Sequence, residues 1–462
     1  MAERNAILSG SLEAAAALVT GREISAVELT TLAQDAAEAA NPSGNAFRVF
    51  TRERALAAAQ RVDAALAAGD AVGPLAGVPL GMKDLLDMAG EMTAAGSIVL
   101  AEVPAQRDST AVTRLEAAGA TIIGKTSMPE FAFSPASNND HYGPVPNPWD
   151  ATRDSGGSSS GSGAAVAAGL VFGATGSDTG GSIRMPASAC GIVGLKPTFG
   201  AVSASGAATL SWSLDHVGPM TRTVRDAALL FDVLAGPDSG DGRTLNAPRG
   251  NAPSNTLAGV DDGVAGLRVG VLTDDGGGAL GTPGVLAGLD ASAAALEAAG
   301  AHLTQLAISE FGDLARLYGA LLVIEAAAYY ERFLQERPDD LTNFARNRML
   351  LAYAYSPTFF VQAQQARGVL RQRINARVAD LDLVLLPGMP HEAPPLGIVQ
   401  SNTRFTGPFN ALGWPAIVVP SGRGEGGLPV AAQLAARPWR EDLVLRAARV
   451  VEQAGLGPGL PG

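Results

Sequence analysis

The sequence predicts an α/β fold, because stretches with helical spacing of apolar residues alternate with short, apolar, β-branched runs. Three helical stretches occupy much of residues 11–68, and each ends near a glycine or a proline. Over residues 267–308, an apolar run, a glycine-rich turn, a helical stretch and a second apolar run follow one another, as in a βαβ unit. We expect a single domain over residues 1–462, with residues 1–68 as a helical N-terminal segment packed on its core.

The remaining elements alternate in the same way along the chain. A helical stretch at 109–118 precedes the apolar run TIIGKT at 121–126, and a capped helix is expected from about Thr223. Residues 314–377 have helical spacing, and DLVLLP at 382–387 is typical of a buried strand. Two further strands are expected after 415, followed by a closing helix from 440.

Composition excludes several classes of function. The 462 residues carry a net charge of −12 and no block of Lys or Arg, which argues against nucleic acid and anionic membranes as partners and favours small neutral or cationic molecules. The single cysteine, Cys190, allows no internal disulfide and is expected to be buried; four histidines without an HExxH pattern give a metal centre little support. The sequence shows neither the basic leader of a signal peptide nor the 18 unbroken apolar residues of a membrane span, so we expect a cytoplasmic protein.

Lysine is scarce in this sequence. Of 33 Lys and Arg residues, only Lys83, Lys125 and Lys196 are lysines. Arg stays protonated at any ordinary pH, whereas a buried Lys can lose its proton and serve as a base. Lys83 follows GVPLGM, an apolar setting that favours burial, so we identify it as a candidate base.

Two glycine- and serine-rich segments, GGSSSGSG at 156–163 and SDTGGS at 177–182, indicate a serine nucleophile. Such segments allow the backbone to approach a ligand closely and cluster N–H groups toward a developing negative charge. Residues 157–161 also match the GxSxG nucleophile elbow, with Ser159 as attacker. An elbow follows a hydrophobic strand, however, and here polar loop residues precede it, while His216, His302 and His391 lack a triad setting.

Two segments of the sequence match nucleotide-binding motifs. Residues 119–126, GATIIGKT, match the P-loop expression, but their central ATII is typical of a strand, so Lys125 is expected to be structural. The glycines at 276, 278 and 281 complete a GxGxxG between a strand and a helix. A nucleotide-binding oxidoreductase using Gly276–Gly281 therefore remains an alternative, although Glu310 matches the expected acidic position only loosely.

The sequence as a whole resembles the amidase signature family, in particular its stand-alone bacterial amidases. The resemblance rests on GGSSSGSGAAVAAG, on SDTGGSIRMPASACGIVGLKPT and on GVPLGMKD, and extends to GATIIGKTSMPEFAF, SLDHVGPMTRTVRDAA and NALGWPAIVVP. It implies a large mixed β-sheet covered by helices on both faces. It also implies hydrolysis of a carboxylic amide, or of an ester or carbamate, through an acyl-enzyme and without a cofactor or metal.

The resemblance assigns roles to individual residues. Ser182 is the implied nucleophile, Ser158 the serine that bridges protons after a cis Gly157–Ser158 bond, and Lys83 the general base. The implied oxyanion hole consists of backbone N–H groups of residues 179–182, namely Thr179, Gly180, Gly181 and Ser182. The implied supporting residues are Ser159, Asp178 and Arg184.

The substrate and the partners are less constrained. Substrate contacts are expected from Met128, Phe131 and Phe133, from residues 204–214 and from the helices near Tyr329 and Phe359.

A second alternative is the glutaminase-type subunit of a tRNA-dependent amidotransferase. That subunit has an acidic residue shortly before the segment that matches NALG, whereas residues 402–404 here are Asn, Thr and Arg, which favours a stand-alone amidase. We expect a monomer or homodimer.

Overall fold

The computed structural model describes residues 7–246, 255–400 and 403–461. Over these residues, one mixed sheet of eleven strands has the order β1-β3-β2-β6-β8-β7-β12-β13-β11-β9-β10, and β4 pairs with β5 apart from it. The strands are β1 Phe47–Phe50, β2 Pro79–Lys83, β3 Thr121–Thr126, β4 Pro146–Asn147, β5 Asp150–Asp154, β6 Gly173–Asp178, β7 Val193–Lys196, β8 His216–Thr221, β9 Arg268–Asp274, β10 His302–Ala307, β11 Leu383–Pro387, β12 Ala416–Arg423 and β13 Pro429–Ala435. The α/β fold with a large mixed sheet is therefore confirmed.

The helices that surround the sheet vary from one turn to more than seven. They are α1 Leu12–Thr20, α2 Ala26–Gly44, α3 Arg52–Ala68, α4 Thr110–Ala117, α5 Ser160–Ala167, α6 Arg184–Cys190, α7 Val224–Leu234, α8 Thr256–Gly259, α9 Pro283–Ala298, α10 Glu310–Glu336, α11 Asn343–Leu350, α12 Pro357–Arg377, α13 Gly407–Leu412 and α14 Glu441–Gln453. Several begin at a side-chain cap, as at Ser25, whose hydroxyl accepts from the Glu28 amide while the Glu28 carboxylate accepts from the Ser25 amide.

Both faces of the central strands are covered. Every residue of β2, β3 and β6 is buried, and successive side chains of a strand point to opposite faces. Continuous burial of this kind requires packing on both sides of the sheet, which explains why most residues of these segments are apolar or small rather than alternating. Lys83, Lys125 and Asp178 are the buried charged residues among them.

The N-terminal segment contains a strand that the helical pattern did not predict. After α1 and α2, residues Phe47–Phe50 form β1, which pairs antiparallel with β3 at the edge of the sheet. Only Phe47 of these four residues is fully buried. The segment therefore contributes to the sheet as well as packing on it.

The topology brings the ends of β2 and β6 together. These strands are parallel neighbours, with Leu80 opposite Gly173 and Gly81 opposite Ala174. Lys83 is the last residue of β2 and Asp178 the last of β6, so Lys83 and the SDTGGS segment meet at one edge of the sheet. Among the described residues, no helix has both the length and the apolarity needed to cross a bilayer.

Candidate active site

The side-chain nitrogen of Lys83 lies at the centre of a cluster of hydroxyls. Its Nζ is 2.8 Å from Ser158 Oγ, 2.9 Å from Ser159 Oγ and 2.9 Å from Ser177 Oγ. Lys83 has no exposed surface. Burial lowers the pKa of Lys83 well below its ordinary value, although the charges of Asp178 and Asp215 act in the opposite direction. The side chain therefore favours the neutral amine, which can accept a proton.

The first glycine- and serine-rich segment brings Ser158 to this lysine. The Gly157–Ser158 peptide bond is cis, as the resemblance implied, and α5 begins two residues later. Gly157 has no room for a side chain, since a Cβ there would lie 2.5 Å from the Ala136 carbonyl oxygen. The amide of Ser159 donates to the carbonyl of Ser182 at 3.1 Å, which joins the first segment to the second.

The loop of residues 179–182 presents backbone amides beside Ser182. The Gly181 amide donates to Asp178 Oδ1 at 2.7 Å. In the described part of the chain, no hydrogen bond to a protein acceptor engages the amides of Thr179, Gly180 or Ser182. These three amides are therefore not engaged by the described protein groups, whereas the Gly181 amide, which the resemblance placed in the same set, is held by the carboxylate.

Asp178 is the buried anchor of this loop. Arg184 donates to it through Nε at 3.0 Å and through Nη2 at 2.8 Å, and Asn410 Nδ2 donates at 2.9 Å. The Arg184 guanidinium also reaches Gln433 Oε1 at 2.7 Å. Burial raises the pKa of Asp178, but the charge and hydrogen bonds of Arg184 outweigh it and hold that pKa below its usual range. Asp178 and Arg184 thus lie where supporting residues were expected.

A cavity of about 280 Å³ opens in front of Ser182. Phe133 lines it, as expected, and so does Leu210 of the 204–214 segment. Its walls are mostly apolar, with the hydroxyl of Tyr318 among the polar groups. The lining residues are Ala132, Phe133, Ser134, Pro135, Thr179, Gly180, Ser182, Met185, Leu210, Tyr318, Leu322, Phe344, Arg348, Val399 and Thr403.

Other residues expected at the substrate pocket lie elsewhere. Phe131 stacks on Tyr330 with ring centroids 3.9 Å apart, and Met128 is buried in the core; neither lines the cavity. Phe131 has φ 53° and ψ 20°, a left-handed turn that alters which side chains of 128–133 face the cavity. Tyr329 is 47% exposed and Phe359 stacks on Tyr355, and neither is among the residues that line the cavity.

Arg348 carries the one charge among the described residues that line the cavity. Its guanidinium lies over the Phe133 ring, 4.3 Å from the centroid, and Nη1 donates to the Phe133 carbonyl at 2.7 Å. The remaining N–H groups have no carboxylate partner in the described part of the chain. The cavity therefore offers a cation to a ligand.

The competing motifs have structural explanations. Residues 121–126 of the P-loop match form strand β3, and Lys125 Nζ lies 3.2 Å from Asp84 Oδ1. Ser159 of the GxSxG match is bonded to Lys83 rather than to a histidine. His216, next to the site, bonds main-chain carbonyls through Nδ1, and burial lowers its pKa well below the ordinary value.

The GxGxxG match lies in a βαβ unit at the end of the sheet, formed by β9, α9 and β10. Its turn is filled by Arg404, which pairs with Asp275 and donates to the carbonyls of Gly278 and Ala279, both at 2.9 Å. A Cβ at Gly277 would lie 2.8 Å from Arg404 Nε. Gly277, which lies between the motif glycines, therefore leaves room for a side chain of the same protein, and the turn binds that side chain through its carbonyls.

Several residues at the site were not predicted from the sequence. Ser177 could have been found, since it lies within SDTGGS. Asn410 and Gln433 come from distant elements, α13 and β13, and only the fold brings them to Arg184. Arg348 and Tyr318 are unremarkable within helical stretches. The expected buried position of Cys190 is observed, and its thiol contacts the Ser155 carbonyl at 3.4 Å.

A buried lysine bonded to three serine hydroxyls, Ser158 among them, meets a glycine-rich loop that carries a further serine, Ser182. This arrangement is typical of serine hydrolases that use lysine as their base. The chain belongs to the amidase signature family: the family model described as Amidase matches residues 28–445. It is thus an amidase signature enzyme, and it hydrolyses amide C–N bonds.

The relatives of this chain include an amidotransferase component and two hydrolases. It is 38% identical to AtzE, the 1-carboxybiuret hydrolase subunit of Pseudomonas sp. (strain ADP), over 89% of this chain and 91% of that protein. It is also 38% identical to a glutamyl-tRNA(Gln) amidotransferase subunit of Synechococcus sp. (strain WH7803), over 94% of each. The solved structure of 6-aminohexanoate cyclic dimer hydrolase complexed with substrate matches with TM-score 0.87 and 31% identity, over 97% of each chain.

Proposed function

We propose that the protein hydrolyses amides through an acyl-enzyme on Ser182, with Ser158 as proton bridge and Lys83 as general base. The observation that carries this proposal is the 2.8 Å contact between the fully buried Lys83 Nζ and Ser158 Oγ. A lysine kept neutral by burial can replace histidine in a serine hydrolase, because it accepts the proton that the nucleophile must lose.

The steps follow from this arrangement. Ser182 Oγ attacks the amide carbonyl, its proton passes to Ser158, and the Ser158 proton passes to Lys83. The negative charge on the carbonyl oxygen is received by the free amides of Thr179, Gly180 and Ser182. The relay then runs in reverse to protonate the leaving nitrogen as the C–N bond breaks. Water, deprotonated by the same relay, hydrolyses the acyl-enzyme and frees Ser182.

We further propose that the preferred substrate is a small amide with a carboxylate at its far end. Arg348 faces the cavity without a carboxylate partner among the described residues, and Tyr318 lines the same cavity. A guanidinium and a phenol together suit a carboxylate, by charge and by hydrogen bonding. The negative net charge of the whole chain favoured neutral or cationic molecules, but the local charge at the cavity decides what enters. A cavity of about 280 Å³ suits a small acyl group.

The amidotransferase alternative is disfavoured by the segment before α13. There the cavity wall is formed by Thr403, and Arg404 turns away to Asp275. Asn402 lies outside the described residues. No described lining residue is acidic, so nothing there pairs with the ammonium of glutamine. The oxidoreductase alternative is disfavoured because Arg404 fills the Gly276–Gly281 turn.

A panel of matched amides tests the proposal. Malonamate and succinamate carry a carboxylate, malonamide and acetamide are neutral, and glutamine carries an additional ammonium. We expect turnover of the carboxylated amides at the lowest KM, and an acyl mass added to the Ser182 peptide after rapid quenching. Release of ammonia without an acyl adduct on wild type, or turnover by Ser182→Ala, would contradict the mechanism. Chromatography of the purified, active chain tests whether it acts as a monomer or homodimer, without a partner subunit.

A further inference from the structure

Thr179 connects the proposed oxyanion loop to the strand beside it. Its hydroxyl donates to Asp215 Oδ1 at 2.6 Å. Asp215 immediately precedes β8, which pairs antiparallel with β6, and Asp178 lies opposite His216 in that pairing. The bond therefore joins the first residue after β6 to the last residue before β8.

Asp215 is itself held by the segment of residues 210–215. Its Oδ2 accepts the amides of Leu210 at 2.9 Å and Ser211 at 3.0 Å. The hydroxyls of Ser211 and Ser213 donate to Glu325 of α10 at 2.6 and 2.7 Å. Helix α10 also carries Tyr318 and Leu322, which line the cavity. Contacts other than the bond to Thr179 therefore hold the carboxylate of Asp215 in place.

The loop has little means of holding its own conformation. Gly180 and Gly181 have no side chains, and Gly181 adopts φ +131°, so the orientation of their peptide planes depends on neighbours. Asp178 holds the Gly181 amide, and the Thr406 hydroxyl donates to the Gly180 carbonyl at 2.5 Å. At the Thr179 end, the hydroxyl bond to Asp215 is the side-chain contact that fixes the loop.

We propose that Asp215 is a positioning residue, which holds Thr179 through its hydroxyl so that the Thr179 and Gly180 amides stay directed at the oxyanion. This rests on the proposed function, because it assigns a task to the oxyanion loop. Donors that are oriented before the reaction stabilise the transition state more than the ground state. Loosening this contact should therefore lower kcat and leave KM nearly unchanged.

The test compares variants that remove, keep or weaken the contact between the Thr179 hydroxyl and the Asp215 carboxylate. Thr179→Val removes the donor at nearly constant volume, Thr179→Ser keeps it, and Asp215→Asn places an amide group where the carboxylate accepts. Thr51→Val is the matched control, because Thr51 is also buried and its hydroxyl donates to the Ile122 carbonyl at 2.7 Å, between the start of α3 and β3 rather than in the loop. Each variant is assayed with the panel amide that wild type hydrolyses fastest.

We expect Thr179→Val and Asp215→Asn to lower kcat by about 10- to 100-fold, less than or equal to the roughly 10²–10³-fold cost of removing an oxyanion-hole donor outright, with KM changed less than twofold. Their affinity for a trifluoromethyl ketone with the same acyl group should fall by the same factor, while inhibition by the product acid is unchanged. Thr179→Ser should retain most activity. Thr51→Val should lower thermal stability only.

Two results would overturn the proposal. One is wild-type kcat in Thr179→Val. The other is a loss of activity in Thr179→Val and Asp215→Asn that is proportional to their loss of thermal stability. In that case their affinity for the ketone would equal that of wild type, and the contact would have only the structural role expected of Thr51. Failure of the proposed function is a separate result, since it would show as turnover by Ser182→Ala whatever the Thr179 variants do.

Discussion

Arg184 Nη2 donates to Asp178 Oδ1 at 2.8 Å, and neither side chain has any exposed surface. The same guanidinium bonds Gln433 and Asn410, so one cation satisfies acceptors from β6, α13 and β13. In this position the charge is both a structural link and the reason why Asp178 can hold the Gly181 amide.

Replacing Arg184 is expected to destabilise the protein severely. Arg184→Met leaves Asp178 buried without its cation, which costs about 3–5 kcal/mol of unfolding free energy. Arg184→Lys should recover only part of this loss, because one ammonium cannot reproduce the planar set of bonds. Urea unfolding measures the loss. An unfolding free energy within about 1 kcal/mol of wild type for Arg184→Met would show that the pair contributes as little as a surface ion pair.

Lys83 should couple stability to pH. Its pKa is lowered by burial in the folded chain and has its ordinary value near 10.4 in the unfolded chain. Between those two values the unfolded chain holds a proton that the folded chain does not, so stability rises with pH and falls as pH is lowered. Relative to Lys83→Met, the unfolding free energy of wild type should fall by about 1.4 kcal/mol for each unit by which the pH is lowered within this window.

The measurement is urea unfolding of wild type and Lys83→Met at several pH values between about 7 and 9, below the ordinary lysine pKa. Lys196 is also buried with a lowered pKa, but it is present in both proteins and cancels. Identical pH dependence of the two proteins would show that Lys83 stays protonated in the fold, which would remove it as a base.

Activity tests the same residue independently. Lys83→Ala and Lys83→Arg should both lose turnover while remaining folded, the second because Arg does not release its proton at ordinary pH. Circular dichroism confirms folding and ammonia release measures turnover. Full activity of Lys83→Arg would exclude proton transfer to this side chain.

Ser158 should be indispensable, whereas its neighbour Ser160 should not be. In the proposed mechanism Ser158 passes protons between Ser182 and Lys83, so in Ser158→Ala we expect kcat to fall by about 10²–10⁴-fold. Ser160 belongs to the same glycine- and serine-rich segment, and its buried Oγ has no hydrogen-bond partner among the described residues. Ser160→Ala is therefore the matched control and should retain wild-type kcat. Equal kcat for the two variants would argue against the relay.

Arg348 should determine charge preference. Arg348→Met is expected to raise KM for malonamate by about 10- to 100-fold, the value of a hydrogen bond to a charged group, and to leave KM for malonamide nearly unchanged. Arg346→Met is the control, because Arg346 lies on the same helix but bonds Asp339 and Asn343 instead of lining the cavity. A parallel rise in KM for both amides would show that Arg348 shapes the cavity without recognising charge.

The sequence predicted the parts of the site that lie in contiguous segments. Lys83 stood out by its scarcity and apolar setting, and Ser158, Ser182 and the 179–182 loop by their glycine- and serine-rich surroundings and by resemblance. The parallel pairing of β2 and β6 explains why these segments meet. The sequence predicted a large mixed sheet, but it did not predict strand β1, because four residues at the edge of a sheet give too short a pattern.

The cavity walls were harder to predict. The left-handed turn at Phe131 alters which of residues 128–133 face inward, so Phe133 lines the cavity while Phe131 and Met128 do not. Tyr318 and Arg348 line the cavity because of how helices α10 and α11 pack against the rest of the protein. That packing depends on contacts between residues far apart in the sequence, which a local pattern does not reveal. The glycines at 276, 278 and 281 matched a nucleotide motif, but the turn that they form holds Arg404, for which Gly277 between them leaves room.

All three lysines of the chain are fully buried. Amine-acylating reagents consequently find no lysine side chain to modify on the native surface, and labelling of Lys83, Lys125 or Lys196 requires local opening of β2, β3 or β7, respectively. Mass spectrometry after timed acylation would thus report how readily three separate strands of the sheet open, with each lysine as a natural probe of its own strand.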